Sequence, residues 1–450
     1  MQAARGWQDE ARAQLRLALP VIAIQLGLVA MGAVDGAFLG RIDAVQYAAS
    51  AIGHAYTFLF LSFGMGFLSV LDPVVSQAFG ARDQEAIARA LKRGLVLACI
   101  VSVPISLVQL FVEDHLRWAD QKPEVIEVAA PYTHVLILSV VPFLLFVALR
   151  QTLQALHRLR PVLLTILAAN LLNVALDWMW IDGHLGFPAL GAMGSAWATV
   201  VSRWFMALVL IAFAGSELWG AFRRPVTRVL AGAPLWRMTK LGVPVGIQWF
   251  GEVGAFAALT AMMGSLGKNE LAANQVAMHI ASASFMVPLG ISMAAAVRVG
   301  NEIGAGRPES ARLAARVAIQ LGVGVMICFA ILFVSQPEPL ARLFTDIDEV
   351  LAVAVVLLPL AGMFQVFDGI QGVVVGVLRG IADTRVPMLI HLTGFWVVGF
   401  PIAWLLGFTW ERGATGLWIG MSAGLAFVAC AQSLRLRALL GRRLDRVVID

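Results

Sequence analysis

Along the chain, long apolar runs alternate with short clusters of glycine, proline and charge, and the runs are long enough to cross a membrane as helices. Breaking the pattern at those clusters predicts twelve segments. The first six are Leu15 to Phe38, Ala48 to Phe79, Leu91 to Val112, Val128 to Thr152, Val162 to Ile181 and Leu190 to Ala214. The second six are Met238 to Leu266, Leu271 to Val297, Ala311 to Val334, Val350 to Leu378, Val386 to Phe408 and Ala414 to Leu434. No run alternates with a period of two over barrel-like lengths, so the segments are helices and the fold class is an all-α polytopic membrane protein. Twelve helices of about 20 residues use on the order of 240 residues. The rest of the 450-residue chain supplies connections and overhangs but no separate soluble domain.

Composition agrees with this pattern. The chain is 60% hydrophobic and 14% charged, with a mean hydropathy of +0.82, whereas a soluble domain is near half apolar and about a quarter charged. A net charge of +5 raises the question of nucleic acid. The basic residues, however, are scattered at segment ends rather than gathered into one patch, so no nucleic-acid partner is expected. With the N-terminus placed in the cytoplasm, 26 Lys and Arg fall on the cytoplasmic side and six on the other, with Arg203 inside segment six. This skew is what the positive-inside rule predicts for twelve spans with both termini cytoplasmic, and shifting one span would destroy it. The lead-in with Arg5, Asp9, Glu10, Arg12 and Arg16 is polar and amphipathic rather than a secretory signal, so the first apolar run is expected to be retained. Cys99, Cys328 and Cys430 lie far apart with no CxxC spacing and are expected to be buried small hydrophobes.

The second half of the sequence echoes the first at an offset of about 224 residues, a sign of a duplicated bundle. Leu19-Pro20 answers Val243-Pro244, and Gln77-Ala-Phe-Gly-Ala-Arg82 answers Asn301-Glu-Ile-Gly-Ala-Gly306. Arg160-Pro161 answers Arg385-Val-Pro387, and Leu190-Gly-Ala-Met-Gly194 answers Arg412-Gly-Ala-Thr-Gly416. Six spans per copy is an even number, so the halves are expected to be two six-helix lobes related by a pseudo-two-fold axis along the membrane normal. The expected organisation is an N-lobe at 1–214, a cytoplasmic linker at 215–237 carrying Pro225 and Pro234, and a C-lobe at 238–450 with a basic tail.

Acids are costly inside a membrane, about 2.5 to 3.5 kcal/mol each at a helix centre on insertion scales, so they mark cavities or partners. Glu252 lies midway along segment seven with Gln248 and Phe256 one turn to either side, and Asp368 lies deep in segment ten with Phe364 one turn before and Gln371 three residues after. A carboxylate, an amide and an aromatic ring on one helix face suit a lipophilic cation. Asn170, Asn173 and Asp177 recur at intervals of three and four along segment five. That stripe implies a polar interior, where Asp35 of segment one and Thr199 of segment six can join it to hold a proton or a small cation. Asp72 is as readily an interfacial capping residue as a transport residue. Arg203 needs a carboxylate or water partner, and Asp177 is one candidate. His279 and His391 read as hydrogen-bonded packing residues. No nucleophile–base set, HExxH, phosphate-binding loop or paired Cys/His spacing is present, so neither an enzyme nor an ATP motor is indicated, and no cofactor is expected.

With these residues in view, the chain resembles the multidrug and toxic compound extrusion (MATE) family in its NorM-like branch. The resemblance rests on Pro20 with Val34-Asp35, Gln77-Ala-Phe-Gly-Ala-Arg82, Asn173-Val-Ala-Leu-Asp177, Phe250-Gly-Glu252, and Asp368-Gly-Ile-Gln371 through Leu378-Arg-Gly-Ile-Ala-Asp-Thr-Arg385, the last being the most specific. It implies a V-shaped pair of lobes around a central cleft that exports cationic, amphipathic compounds in exchange for Na+ or H+. By matching position it implies a C-lobe cation site at Glu252 and Asp368 and an N-lobe site at Asp35, Asn173, Asp177 and Thr199. Na+ as coupling ion could sit at Glu252 and Asp368 or at Asp35 and Asp177. Pro20 would be where segment one bends. Phe364 stands where some relatives have a tyrosine, and Asp72 and Arg203 match no part of the family pattern. The expected partners are small cationic substrates and membrane lipids, and the expected state is a monomer in a bacterial inner membrane. The alternative is a lipid-linked oligosaccharide flippase of a related fold, for which a basic cavity is expected. A channel or receptor fits the repeat less well.

Overall fold

The computed structural model of the chain describes residues 6–213 and 215–449; Arg5 of the lead-in and Ala214 at the expected end of segment six lie outside them. Among the described residues, eleven helices are long and apolar enough to cross a membrane, and a bent pair makes a twelfth crossing. Spans 1 to 6 are Trp7–Leu39, Ala44–Gly80, Gln84–Gln109, the pair Pro123–Ile137 and Val140–Ala155 bent by 50°, Arg160–Trp180 and Ala192–Phe213. Spans 7 to 12 are Gly232–Leu266, Lys268–Gly304, Pro308–Ser335, Asp348–Gly380, Arg385–Thr409 and Gly413–Leu440. Each predicted segment meets one of these. The helices overrun the apolar runs because polar ends propagate from good caps: Asp43 accepts from the amides of Val45 and Gln46 (both 2.9 Å), and Asp83 from that of Ala86 (2.9 Å). Proline opens spans 4, 5 and 9 in the first turn, where its missing N–H costs nothing.

Three short helices fall between spans: Val112–Trp118, Gly215–Arg223 in the expected linker, and Pro337–Arg342. The cysteines depart from expectation. Cys99, Cys328 and Cys430 are free but exposed, on apolar outward faces where a thiol is as much at home as in a core.

The chain forms two compact units, and they do not divide at the linker. The N-terminal unit holds Ala23–Phe79 and Asp83–Gly246; the C-terminal unit holds Ile247–Val448, with the start of the chain up to Ile22 and the turn Gly80–Arg82. The chain therefore changes unit within span 1, two residues after Pro20, and within span 7, two residues after Pro244. Both prolines lie inside continuous helices, where each removes one backbone hydrogen bond.

Each displaced half-helix is held by a glycine on the second span of the unit it joins. In the N-terminal unit a Cβ on Gly66 would stand 2.6 Å from Val245 O, and in the C-terminal unit one on Gly290 would stand 3.3 Å from Ala18 O. Any larger residue would push the helices apart. The C-terminal unit adds an ion-pair network: Arg298 donates through Nε (2.9 Å) and Nη2 (2.5 Å) to buried Glu10, and Glu302 lies 3.4 Å from Arg298 and 2.7 Å from Arg307.

Several basic residues counted toward the cytoplasmic skew are not loop residues at all. Arg93, Arg150, Arg298 and Arg379 are nearly fully buried at span ends. Arg93 donates to the carbonyls of Arg228 (3.1 Å) and Val229 (3.3 Å), and Arg150 to Gln25 Oε1 (2.5 Å). The core of the C-terminal unit packs Leu357, Phe364, Phe395, Trp418 and Met421 between spans 10, 11 and 12. Span 11 is locally widened. Phe400 N–H bonds Phe395 O, five residues back, as the ring of Pro401 interrupts the regular ladder.

Candidate functional site

Each unit contains its own pair of deep acids. In the N-terminal unit, span 5 presents Asn173 and Asp177 one helical turn apart, both fully buried, and span 1 brings Asp35 to them. Thr199 Oγ1 of span 6 donates to Asp35 Oδ2 (3.1 Å) instead of to its own backbone, so this hydroxyl belongs to the site. The carboxyl groups of Asp35 and Asp177 face one another. Among the described residues, Asp35 Oδ1 and both oxygens of Asp177 form no hydrogen bond.

Asn170 does a different job from its neighbours on the stripe. Its amide donates to Gly27 O (3.0 Å) and Ile166 O (2.9 Å), tying span 5 to span 1. Arg203 does not pair with Asp177. It donates to Ser139 Oγ (2.7 Å), at the break in span 4, and lies 4.8 Å over the ring of Phe143, within electrostatic reach of Asp35. Asp72 is fully buried and within reach of Arg150, an interior charge relation rather than a helix cap at the interface. Tyr132, also buried, stands near Asp35 and Asp177 and was not visible as a site residue, because nothing in its local sequence distinguishes it from an interfacial tyrosine.

In the C-terminal unit the two amides spaced one turn from the acids act differently. Gln371 Nε2 donates to Asp368 Oδ1 (3.0 Å), so the i to i+3 pair closes on itself. Gln248 reaches past Glu252 to span 11, where its Nε2 lies 3.4 Å from His391 Nδ1. The other ring nitrogen, Nε2, lies 3.4 Å from Glu252 Oε2. Asp368 is 5% exposed, the Glu252 side chain 20%, and the two carboxylates are within electrostatic reach of one another. His391, expected to be a packing residue, is thus a neighbour of the site. Its partner Gln248 is 143 positions away, and only folding brings them together.

The aromatic residues split as well. Phe256 meets Phe364 and Phe395 edge to face (centroids 6.1 and 6.0 Å), and Phe364 meets Trp418 (5.6 Å), whose Nε1 donates to Asn274 Oδ1 (3.1 Å). Phe364 is 3% exposed, so its ring faces are spent on the core, while Phe256 is half-buried beside Glu252. Among the described residues no three His, Cys, Asp or Glu side chains converge as a transition-metal site would require.

Known proteins resemble this chain over nearly its whole length. The MatE family model matches it twice, at residues 20–179 and 244–405, so the repeat read from the sequence is a repeat of the family domain itself. The chain belongs to the MATE family. A probable multidrug resistance protein NorM from Bradyrhizobium diazoefficiens is 37% identical over 97% of this chain and 95% of its own length. Another from Pseudomonas putida is 38% identical, covering 96% of each. The solved structure of the eukaryotic MATE transporter AtDTX14 superposes with a TM-score of 0.88 over 96% of both chains at 24% identity, a likeness of fold. A MATE structure described as the bent conformation superposes with a TM-score of 0.85, and one described as straight with 0.84. The all-helical architecture of twelve crossings in two units is thus that of a MATE transporter.

Proposed function

We propose that this MATE protein is a secondary antiporter that exports cationic, amphipathic drugs and toxic compounds in exchange for Na+ or H+. The observation that carries the reading is the pair of deep carboxylates in the C-terminal unit, Glu252 and Asp368, in electrostatic reach of one another and bordered by the half-buried ring of Phe256. A carboxylate beside an aromatic surface is chemistry for an organic cation, and an intramembrane acid is kept only where it has a use. The relatives named NorM, multidrug resistance proteins by name, fit the same substrate class.

The mechanism is competition. An incoming ion neutralises carboxylates that otherwise hold the organic cation, and the two six-span halves alternate access to the two sides of the membrane. Asp35 and Asp177 with Asn173 and Thr199 form a second ion site, and Pro20 and Pro244 are the joints. The skew of basic residues supports a bacterial inner membrane location with both termini in the cytoplasm. Each chain holds its own acid pairs and works as a monomer, without a cofactor. The flippase alternative calls for basic groups free to grip a pyrophosphate. The buried arginines are engaged elsewhere: Arg203 with Ser139 and Phe143, Arg150 with Gln25 and Arg298 with Glu10.

The test is ethidium efflux from proteoliposomes under an imposed Na+ or pH gradient. Glu252→Gln and Asp368→Asn should each abolish most of the gradient-driven rate. Wild-type rates in both variants would contradict the assignment.

A further inference from the structure

Around His391 the geometry fixes which ring nitrogen carries the proton. The Gln248 Nε2 amide is only a donor, so Nδ1 opposite it (3.4 Å) must accept. In the neutral ring the proton then sits on Nε2, which lies 3.4 Å from Glu252 Oε2. His391 is 1% exposed, and its Nε2 is buried and forms no hydrogen bond among the described residues, so Glu252 Oε2 is near it without being bonded to it. The ring leans on Phe395 (centroids 4.8 Å), at the widened turn that starts at Thr393, so packing fixes it from the side. Gln248, His391 and Glu252 thereby form a series across spans 7 and 11 in which a buried ring N–H stands beside a carboxylate.

We infer that His391 is a specificity-determining residue of the Glu252 site, which disfavours Na+ by turning an N–H toward the carboxylate. The inference rests on the reading of Glu252 and Asp368 as the coupling site and names the ion that this site selects against. A hard cation needs several oxygen lone pairs around it, and carboxylates usually supply one or two of them. At Glu252 one oxygen already faces a donor, and the nearest amide, Gln248, presents its N–H to the histidine. A bare metal ion at Glu252 would meet the positive end of the N–H dipole. A proton needs a single lone pair, and the second carboxylate oxygen supplies it.

Two substitutions remove the donor in different ways. His391→Gln puts in its place an amide that can turn an oxygen to the site, and Gln248→Leu frees the ring to move its proton to Nδ1 and present a lone pair to Glu252. Ethidium efflux from proteoliposomes is measured under a Na+ gradient and under a pH gradient, and the ratio of the two rates is the readout. That ratio is insensitive to how much protein folds or inserts. Each variant should raise the Na+-driven rate relative to the pH-driven rate by about tenfold, the order expected from removing one buried N–H dipole from beside a charged group. If both variants keep the wild-type ratio while Glu252→Gln abolishes efflux, the role of His391 is overturned and the site stands. If Glu252→Gln leaves efflux intact, both fall. Should His391→Gln not insert, Gln248→Leu alone decides.

Discussion

The two units solve the same problem of a buried acid pair in opposite ways. In the N-terminal unit Asp35 and Asp177 face each other, and Thr199 gives the one direct hydroxyl bond to Asp35. In the C-terminal unit Asp368 has Gln371, and Glu252 has His391 backed by Gln248. Glu252 also keeps a fifth of its side chain exposed, whereas Asp177 has none. The first arrangement is a closed acceptor set, which in the proposed antiport is the place for a small ion shared between two acids. The second is more open and screened by donors, and it borders an aromatic surface suited to a larger organic cation. A duplicated sequence has thus kept its scaffold while its two halves diverged in the polar groups that line it.

The same contrast shows in how each unit holds its transferred half-helix, and the largest expected effect lies there. Glu10 and Arg298 are a buried pair in the C-terminal unit, whereas the N-terminal unit relies on the close approach at Gly66. Arg298→Ala should destabilise the protein by about 3 kcal/mol by taking the buried guanidinium away from two buried carboxylates, Glu10 and Glu302, read as a fall in Tm in detergent. An unchanged Tm would mean that the glycine contact alone holds both halves.

At the acid pairs, Asp177→Asn and Asp368→Asn should each lower gradient-driven ethidium efflux by about ten- to a hundredfold, since each removes a charge that the cation meets directly. If the two units differ as argued, the variants should part in dye binding without a gradient. Asp368→Asn should weaken it and Asp177→Asn should leave it near wild type, and equal losses would erase the distinction. Removing the escort is milder. Gln371→Leu leaves Asp368 without its amide donor and should cost about tenfold in efflux. Thr199→Val keeps the shape but removes the hydroxyl from Asp35 and should cost about fivefold, comparable to one neutral hydrogen bond.

Much of this was legible in the sequence because it is written in local pattern. Span positions follow from hydrophobic length, and the repeat from turn and proline motifs in one order. The shared burial of Asn173 and Asp177 and the bond of Gln371 to Asp368 follow from helical spacing. What was not legible depends on distant contacts. Asn170 shares the stripe of Asn173, yet Gly27 of span 1 takes its amide. Phe364 shares a face with Asp368, yet Trp418 claims its ring. His391 and Tyr132 enter the sites from spans whose own sequence gives no sign of it, and Arg298 and Arg150 look like loop charges until the fold buries them. Pro20 and Pro244 were visible as a repeat, but their place at the two crossings between units emerged only from the packing.

The central claim is that ion and drug compete for the same carboxylates, and equilibrium ethidium binding to the purified protein tests it most directly. The account predicts that wild-type affinity falls as Na+ or proton concentration rises, and that the double variant Glu252→Gln with Asp368→Asn binds weakly and no longer responds. Dye affinity independent of both ions in the wild type would contradict it.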